Sequence, residues 1–135
     1  TETAMLTDLA STSQALADLR SLGSGLAVDD FGTGHTALTY LTRLPVTAVK
    51  LDRSFVRQVA TDHVDRAVVT GVARLAEAIG LVTVAEGVEQ VEQLDVVTAG
   101  GCRRVQGHLF DRAMPVDDLV ERLRTTARDV RPPRA

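Results

Sequence analysis

Apolar and polar positions along this chain switch repeatedly between a helical and an extended rhythm. From residue 4 to 22, Leu6, Leu9, Ala15, Leu16, Leu19 and Leu22 predict a helix, with Gly23 as its stop. The apolar run GLAVD at 25–29 predicts a strand. A helix over 35–44 follows, with Pro45 beyond its end, and VTAVKLD (46–52) is the next strand. Residues 53–60 predict a short helix or turn. Val64, Ala67, Val68, Val72, Leu75, Ala76 and Ile79 step by three and four, the mark of an amphipathic helix, which Gly80 ends. LVTVAE (81–86) is a third strand, 90–99 a helix, 103–106 a weaker fourth strand, and about 115–126 a last helix with Pro115 in its first turn.

The order is therefore one helix and then four strand–helix units, an α/β chain. Strands separated by helices run parallel in a right-handed winding. Such strands need cover on both faces or closure into a barrel. The Leu and Val stripes of the helices are expected to be core.

Composition narrows this reading. Apolar residues make up 44% of 135, enough for one folded domain, and aromatics only 3%, so Ala, Val and Leu fill the core. Net charge is −3 and the basic residues are scattered until the tail, which argues against duplex nucleic acid as a partner. Cys102 is the single cysteine; it fits a reducing compartment and a small buried position. No apolar run is long enough to span a bilayer, and no signal peptide is visible. Residues 126–135 read as a basic, proline-bearing tail beyond a domain of 1–125.

The chemistry collects at strand ends. Asp29 and Asp30 end the first strand, Lys50 and Asp52 the second, Glu86 the third with Glu89 just after, and Gln106 the fourth. In parallel α/β folds these ends share one rim, where ligands bind. Three carboxylates with one lysine suit a hard divalent cation and a phosphate. Gly32 and Gly34 allow a tight loop beside Asp30. Plainer readings stand beside this one. The Asp pair can cap or turn the chain, Lys50 and Asp52 can form a surface ion pair, Glu89 can support a helix start, and Gln106 can be a hydrogen-bonding loop residue. His35, His63 and His108 show no metal-ligand spacing.

DDFGTG (29–34), LPVTAVKLDRSFV (44–56), VAEGVE (84–89) and GCRRVQGHLF (101–110) together resemble the EAL-family cyclic-di-GMP phosphodiesterases, in the family's order and at its spacings. The resemblance implies a TIM-type (β/α)8 barrel, of which about the last four β/α units and a leading helix are present. It implies two-metal hydrolysis of cyclic-di-GMP to linear pGpG with Mg²⁺ or Mn²⁺. Asp29 then resembles the ligand bridging both metals, and Asp30 and Glu86 the other ligands of the second metal. Lys50 resembles the lysine that holds the attacking water, Asp52 its supporting carboxylate, and Gln106 a residue facing water or substrate. Glu89 resembles a substrate-loop residue, and Glu2 the glutamate that anchors the DDFGTG loop. His108 stands where the family often has Tyr.

The family's Glu-Ala-Leu motif is absent from these residues, as are an asparagine ligand and the first glutamate of a Glu-x-Thr-Glu segment. The first metal thus keeps only Asp29, while the second keeps its full set. The chain alone is expected to be inactive. An open half-barrel is also expected to self-associate or to belong to a longer protein, because bare sheet edges invite pairing. A cytoplasmic bacterial setting is expected, alone or within a longer membrane-anchored sensor. The alternative is a degenerate module that binds nucleotide or mediates protein association. A receiver-like phosphorylation switch uses similar residues but in a different order.

Overall fold

The computed structural model describes the backbone of residues 2–32 and 38–129, and side chains over 12–32 and 41–125. The elements run α1 (Glu2–Ser21), β1 (Ala27–Phe31), α2 (Leu38–Arg43), β2 (Ala48–Leu51), α3 (Arg53–Val56), α4 (His63–Ala78), β3 (Val82–Glu86), α5 (Val91–Ala99), β4 (Arg104–Gln106) and α6 (Val116–Asp129). The four strands form one parallel sheet in the order β1-β2-β3-β4. Each connection carries at least one helix, as parallel neighbours require.

Strand alternation decides what is buried. Val28, Val49 and Thr83 lie in one cross-strand row, and Phe31, Leu51, Ala85 and Val105 in another. These rows pack with Val56, Val59, Val69, Ala73, Ala76, Val88 and Val97 from the helices and loops into the core. Each buried aliphatic side chain contributes about 1.5–3 kcal/mol. The other rows, Ala27–Ala48–Val82, Lys50–Val84–Arg104 and Glu86–Gln106, fall on the opposite face.

Local signals set the ends. Asp62 caps α4 by accepting from the backbone N–H of Val64 at 2.6 Å and of Asp65 at 3.3 Å, worth about 1 kcal/mol. Asp52 caps α3 by accepting from the Ser54 N–H at 2.8 Å. Thr47 clamps the entry to β1, its hydroxyl donating to the Leu26 carbonyl at 2.9 Å and accepting from the Leu26 N–H at 3.0 Å.

Several expectations change. β1 starts and ends two residues later than the apolar run indicates, so both aspartates belong to the strand. Pro115 sits just before α6, and α6 runs to Asp129, three residues past its expected end. The helix stripes are not all core: Leu19 and Leu22 are exposed, as are Val64, Leu75 and Ile79 of the stripe along α4 and Val116, Leu119, Val120 and Leu123 on α6. Periodicity marks the apolar side of a helix and does not say whether anything covers it. Cys102 is buried, as expected, and burial pushes its thiol up to about 11. His35 and Gly34 lie outside the described residues.

Candidate metal centre

The site begins with a register shift. Val28 pairs with Val49 and Phe31 with Leu51, so Asp29 and Asp30 together stand opposite the single residue Lys50. In a regular strand adjacent side chains point to opposite faces, and one of the two carboxylates would enter the helix layer. The extra residue removes that conflict. Asp30 takes φ 50°, a left-handed conformation that aspartate tolerates better than most residues. A carboxylate oxygen of Asp29 also accepts from the Asp30 N–H at 3.2 Å, bracing the turn. Ligand atoms of Asp29, Asp30 and Glu86 consequently lie within 4.8 Å of one another.

Lys50 reaches into this group from β2. Its Nζ donates to Asp29 Oδ1 at 2.7 Å and lies 2.5 Å from Glu86 Oε1. The hydrogen bond from Lys50 holds the Asp29 carboxyl below the usual aspartate range. Asp29 and then Glu86 raise Lys50 well above the usual lysine range, so it is an ammonium at neutral pH. Three carboxylates against one ammonium leave the cluster negative. Asp29 is 63% exposed in its side chain and Glu86 only 18%, so the cluster opens to solvent on the β1 side. An all-oxygen, net-negative donor set of this kind fits a hard divalent cation and not a soft metal.

The other predicted residues are distributed as follows. Asp52 lies beyond β2, near enough to Asp29 to influence its ionisation, but its oxygen caps α3 through Ser54, whose side chain and then N–H lower its pKa. The carboxylates that contact Lys50 directly are Asp29 and Glu86. Gln106 pairs with Glu86 across the sheet and lines a groove of about 660 Å³ with Arg53, Glu89, His108, Phe110 and Arg112. Glu89 faces His108 across this groove at 3.9 Å. Glu2 lies in α1, and its side chain is outside the described ones.

Glycines fix the loops around the rim. Gly32 has φ 103°, and a Cβ there would stand 2.5 Å from the Phe55 ring. Gly107 lies so close to Val88 that a Cβ would fall 2.0 Å from its carbonyl oxygen. At this approach the Val88 N–H donates to the Gln106 carbonyl at 3.1 Å, and Leu109 N–H to the Val88 carbonyl at 3.0 Å.

Two signals had escaped sequence reasoning. Gln93 is 4% exposed, and its Oε1 accepts from the N–H groups of Glu89 at 2.8 Å and Gln90 at 3.0 Å while Nε2 donates to the Arg57 carbonyl at 3.0 Å. It ties the loop after β3 to the end of α3; a glutamine three residues into a helix start was the available clue. The second signal is numerical. Lys50 is the only lysine among 15 basic residues, in a chain that otherwise uses arginine.

A family model described as EAL domain matches residues 1–113. Cyclic di-GMP phosphodiesterase NbdA of Pseudomonas aeruginosa is 41% identical over 133 residues, covering 98% of this chain and 17% of its own length. The crystal structure of the EAL domain of Mycobacterium smegmatis DcpA is similar with a TM-score of 0.83 at 37% identity, over 87% of this chain and 53% of that one. A manganese and cyclic-di-GMP complex of Klebsiella pneumoniae BlrP1 is similar with a TM-score of 0.68 at 39% identity, over 73% of this chain and 25% of that one. The chain thus spans about a sixth of NbdA and about half of the DcpA domain. These likenesses identify the four-stranded sheet as part of a TIM-type barrel. No helix among the described residues is long and apolar enough to cross a membrane.

Proposed function

The chain belongs to the EAL domain family, and from that premise we propose that it carries the second-metal half of a site that hydrolyses cyclic-di-GMP to linear pGpG. One observation carries this reading: Asp29, Asp30 and Glu86, from two strands not adjacent in the sheet, converge within 4.8 Å around the ammonium of the strand between them. Nothing in the packing of the fold needs these carboxylates together, and their repulsion works against it.

In this reading Asp29, Asp30 and Glu86 would hold Mg²⁺ or Mn²⁺, which would supply Lewis-acid chemistry toward a phosphoryl oxygen and a water. Lys50 orients the attacking water and offsets charge developing on the phosphate. Asp52 supports Lys50 by keeping the β2–α3 corner rigid. Gln106 and Glu89 line the groove along which the dinucleotide extends. The setting is the bacterial cytoplasm. A first metal would need ligands besides Asp29, which residues 1–135 do not supply in the family's pattern. Residues 1–135 alone therefore turn over no substrate.

Calorimetric titration with Mn²⁺ tests the site: uptake by the 135-residue chain that is lost in Asp29→Asn supports it, and uptake unaltered by that change refutes it. Formation of pGpG by the same chain, followed chromatographically with Mg²⁺ or Mn²⁺, would refute the half-site. A non-catalytic module is the competing reading. It predicts that cyclic-di-GMP binds without turnover even when the whole barrel is present.

A further inference from the structure

Lys50 occupies a position that bears on how the site is filled as well as on catalysis. Here its ammonium is inside the acid cluster, 2.7 Å from Asp29 Oδ1 and 2.5 Å from Glu86 Oε1, on two of the three groups that converge. Asp29 Oδ1 also accepts from the Asp30 N–H at 3.2 Å, so that oxygen already serves two donors. A divalent ion takes such oxygens at about 2.0–2.6 Å. An ammonium on two of the three carboxylates repels an incoming cation of like sign and competes with it for them.

We propose that Lys50 is the resident counter-ion of the metal-free cluster, and that it leaves Asp29 and Glu86 as a divalent cation enters. The inference rests on the metal reading above. It makes loading an exchange of cations. The cluster is never left with three uncompensated carboxylates, and the same event that fills the site turns the ammonium toward the groove. The choice of residue fits this role. An ammonium is a compact point charge on a flexible stem, whereas an arginine fork would grip a carboxylate in two places and be harder to displace. A chain with 14 arginines has its one lysine at this position.

That solitary lysine also makes the test specific. In the full chain labelled with ¹⁵N-lysine, the side-chain ammonium gives one NMR resonance. In metal-free protein it is expected to be visible, protected from exchange by two carboxylates. It should then shift or broaden along the same isotherm by which calorimetry records Mg²⁺ uptake. A resonance that stays fixed while Mg²⁺ saturates a site sensitive to Asp29→Asn would overturn the exchange and leave the metal reading intact. Absence of any Mg²⁺ or Mn²⁺ uptake would remove both. As a second measurement, Lys50→Met should bind Mn²⁺ about tenfold more tightly, having lost a competitor held by two partly exposed ion pairs. Arg74→Met, which removes a positive charge from exposed α4, should leave the affinity as it was. Equal tightening in both variants, or none in Lys50→Met, would also overturn the proposal; the wild-type resonance decides the matter if either variant fails to fold.

Discussion

The two faces of the sheet are built from the same strands, often from adjacent residues, yet they follow different rules. Toward α3, α4 and α5, Val49, Leu51, Thr83 and Ala85 are no more than 2% exposed. Their neighbours Lys50, Val84 and Glu86 face the other way and stay partly open. The first face is selected for close packing, where a missing methylene is felt. The second is selected for which polar atoms meet. The same four strands thus deliver stability on one side and chemistry on the other, and a substitution should affect one property with little effect on the other.

The sharpest test of that division uses neighbouring strands. Leu51→Ala should lower the unfolding free energy by about 2–5 kcal/mol in urea denaturation, because it leaves a cavity in the packed layer. Val84→Ala, on the open face, should cost less than about 1 kcal/mol. Equal losses would show that the open face is packed after all. Next in size, Glu86→Gln should weaken Mn²⁺ binding at least tenfold by calorimetry while lowering the urea stability by no more than about 1 kcal/mol, since Lys50 keeps its pairing with Asp29. A large loss of stability would mean that this glutamate is structural.

Asp30→Gly separates the two properties within a single residue. Glycine accepts φ 50° without a Cβ penalty, so stability should hold or rise by up to about 1 kcal/mol, while Mn²⁺ affinity falls. A marked drop in melting temperature would show that the carboxylate holds the turn. The smallest effect is on pH dependence. Asp29 is held below its ordinary value of 3.8 by Lys50, so the pair stabilises the fold above that pH and loses its contribution as pH falls through the lowered value. Lys50 is raised above 10.5, so its contribution is present below that pH and fades only as pH rises beyond it. Melting temperatures between pH 5 and 2 should therefore fall slightly more steeply for wild type than for Lys50→Met. Asp52, also lowered, is common to both proteins and cancels.

Much of this arrangement was legible in the order of residues. The helix at His63–Ala78 and the strands around Val49 and Thr83 follow from period and from glycine stops. The convergence of Asp29, Asp30, Glu86 and Lys50 follows from their shared place at strand ends. The missing part was backbone geometry. Hydrophobicity cannot register a left-handed aspartate, so β1 was read as ending where its charges begin. The buried anchor that keeps those charges within the strand is Phe31, one residue further on. Gln93 was missed for a related reason: a polar residue at a helix start reads as surface unless the backbone groups it serves are known. Apolar positions such as Leu19, Val64, Leu75 and Leu123 stay exposed because periodicity says which side is apolar and not whether anything covers it.

The doubled aspartate in β1 also determines which changes in chain length the protein can survive. Removing either Asp29 or Asp30 would leave one residue opposite Lys50 and return the strand to a plain two-residue repeat. Phe31 could then still meet Leu51, so such a deletion would fold, but with a single acid where two had stood. Adding a residue instead would carry Phe31 out of its hydrophobic seat. Loss and gain of one codon at this point should therefore fail in opposite ways, the first as a stable protein indifferent to divalent ions and the second as one that does not fold.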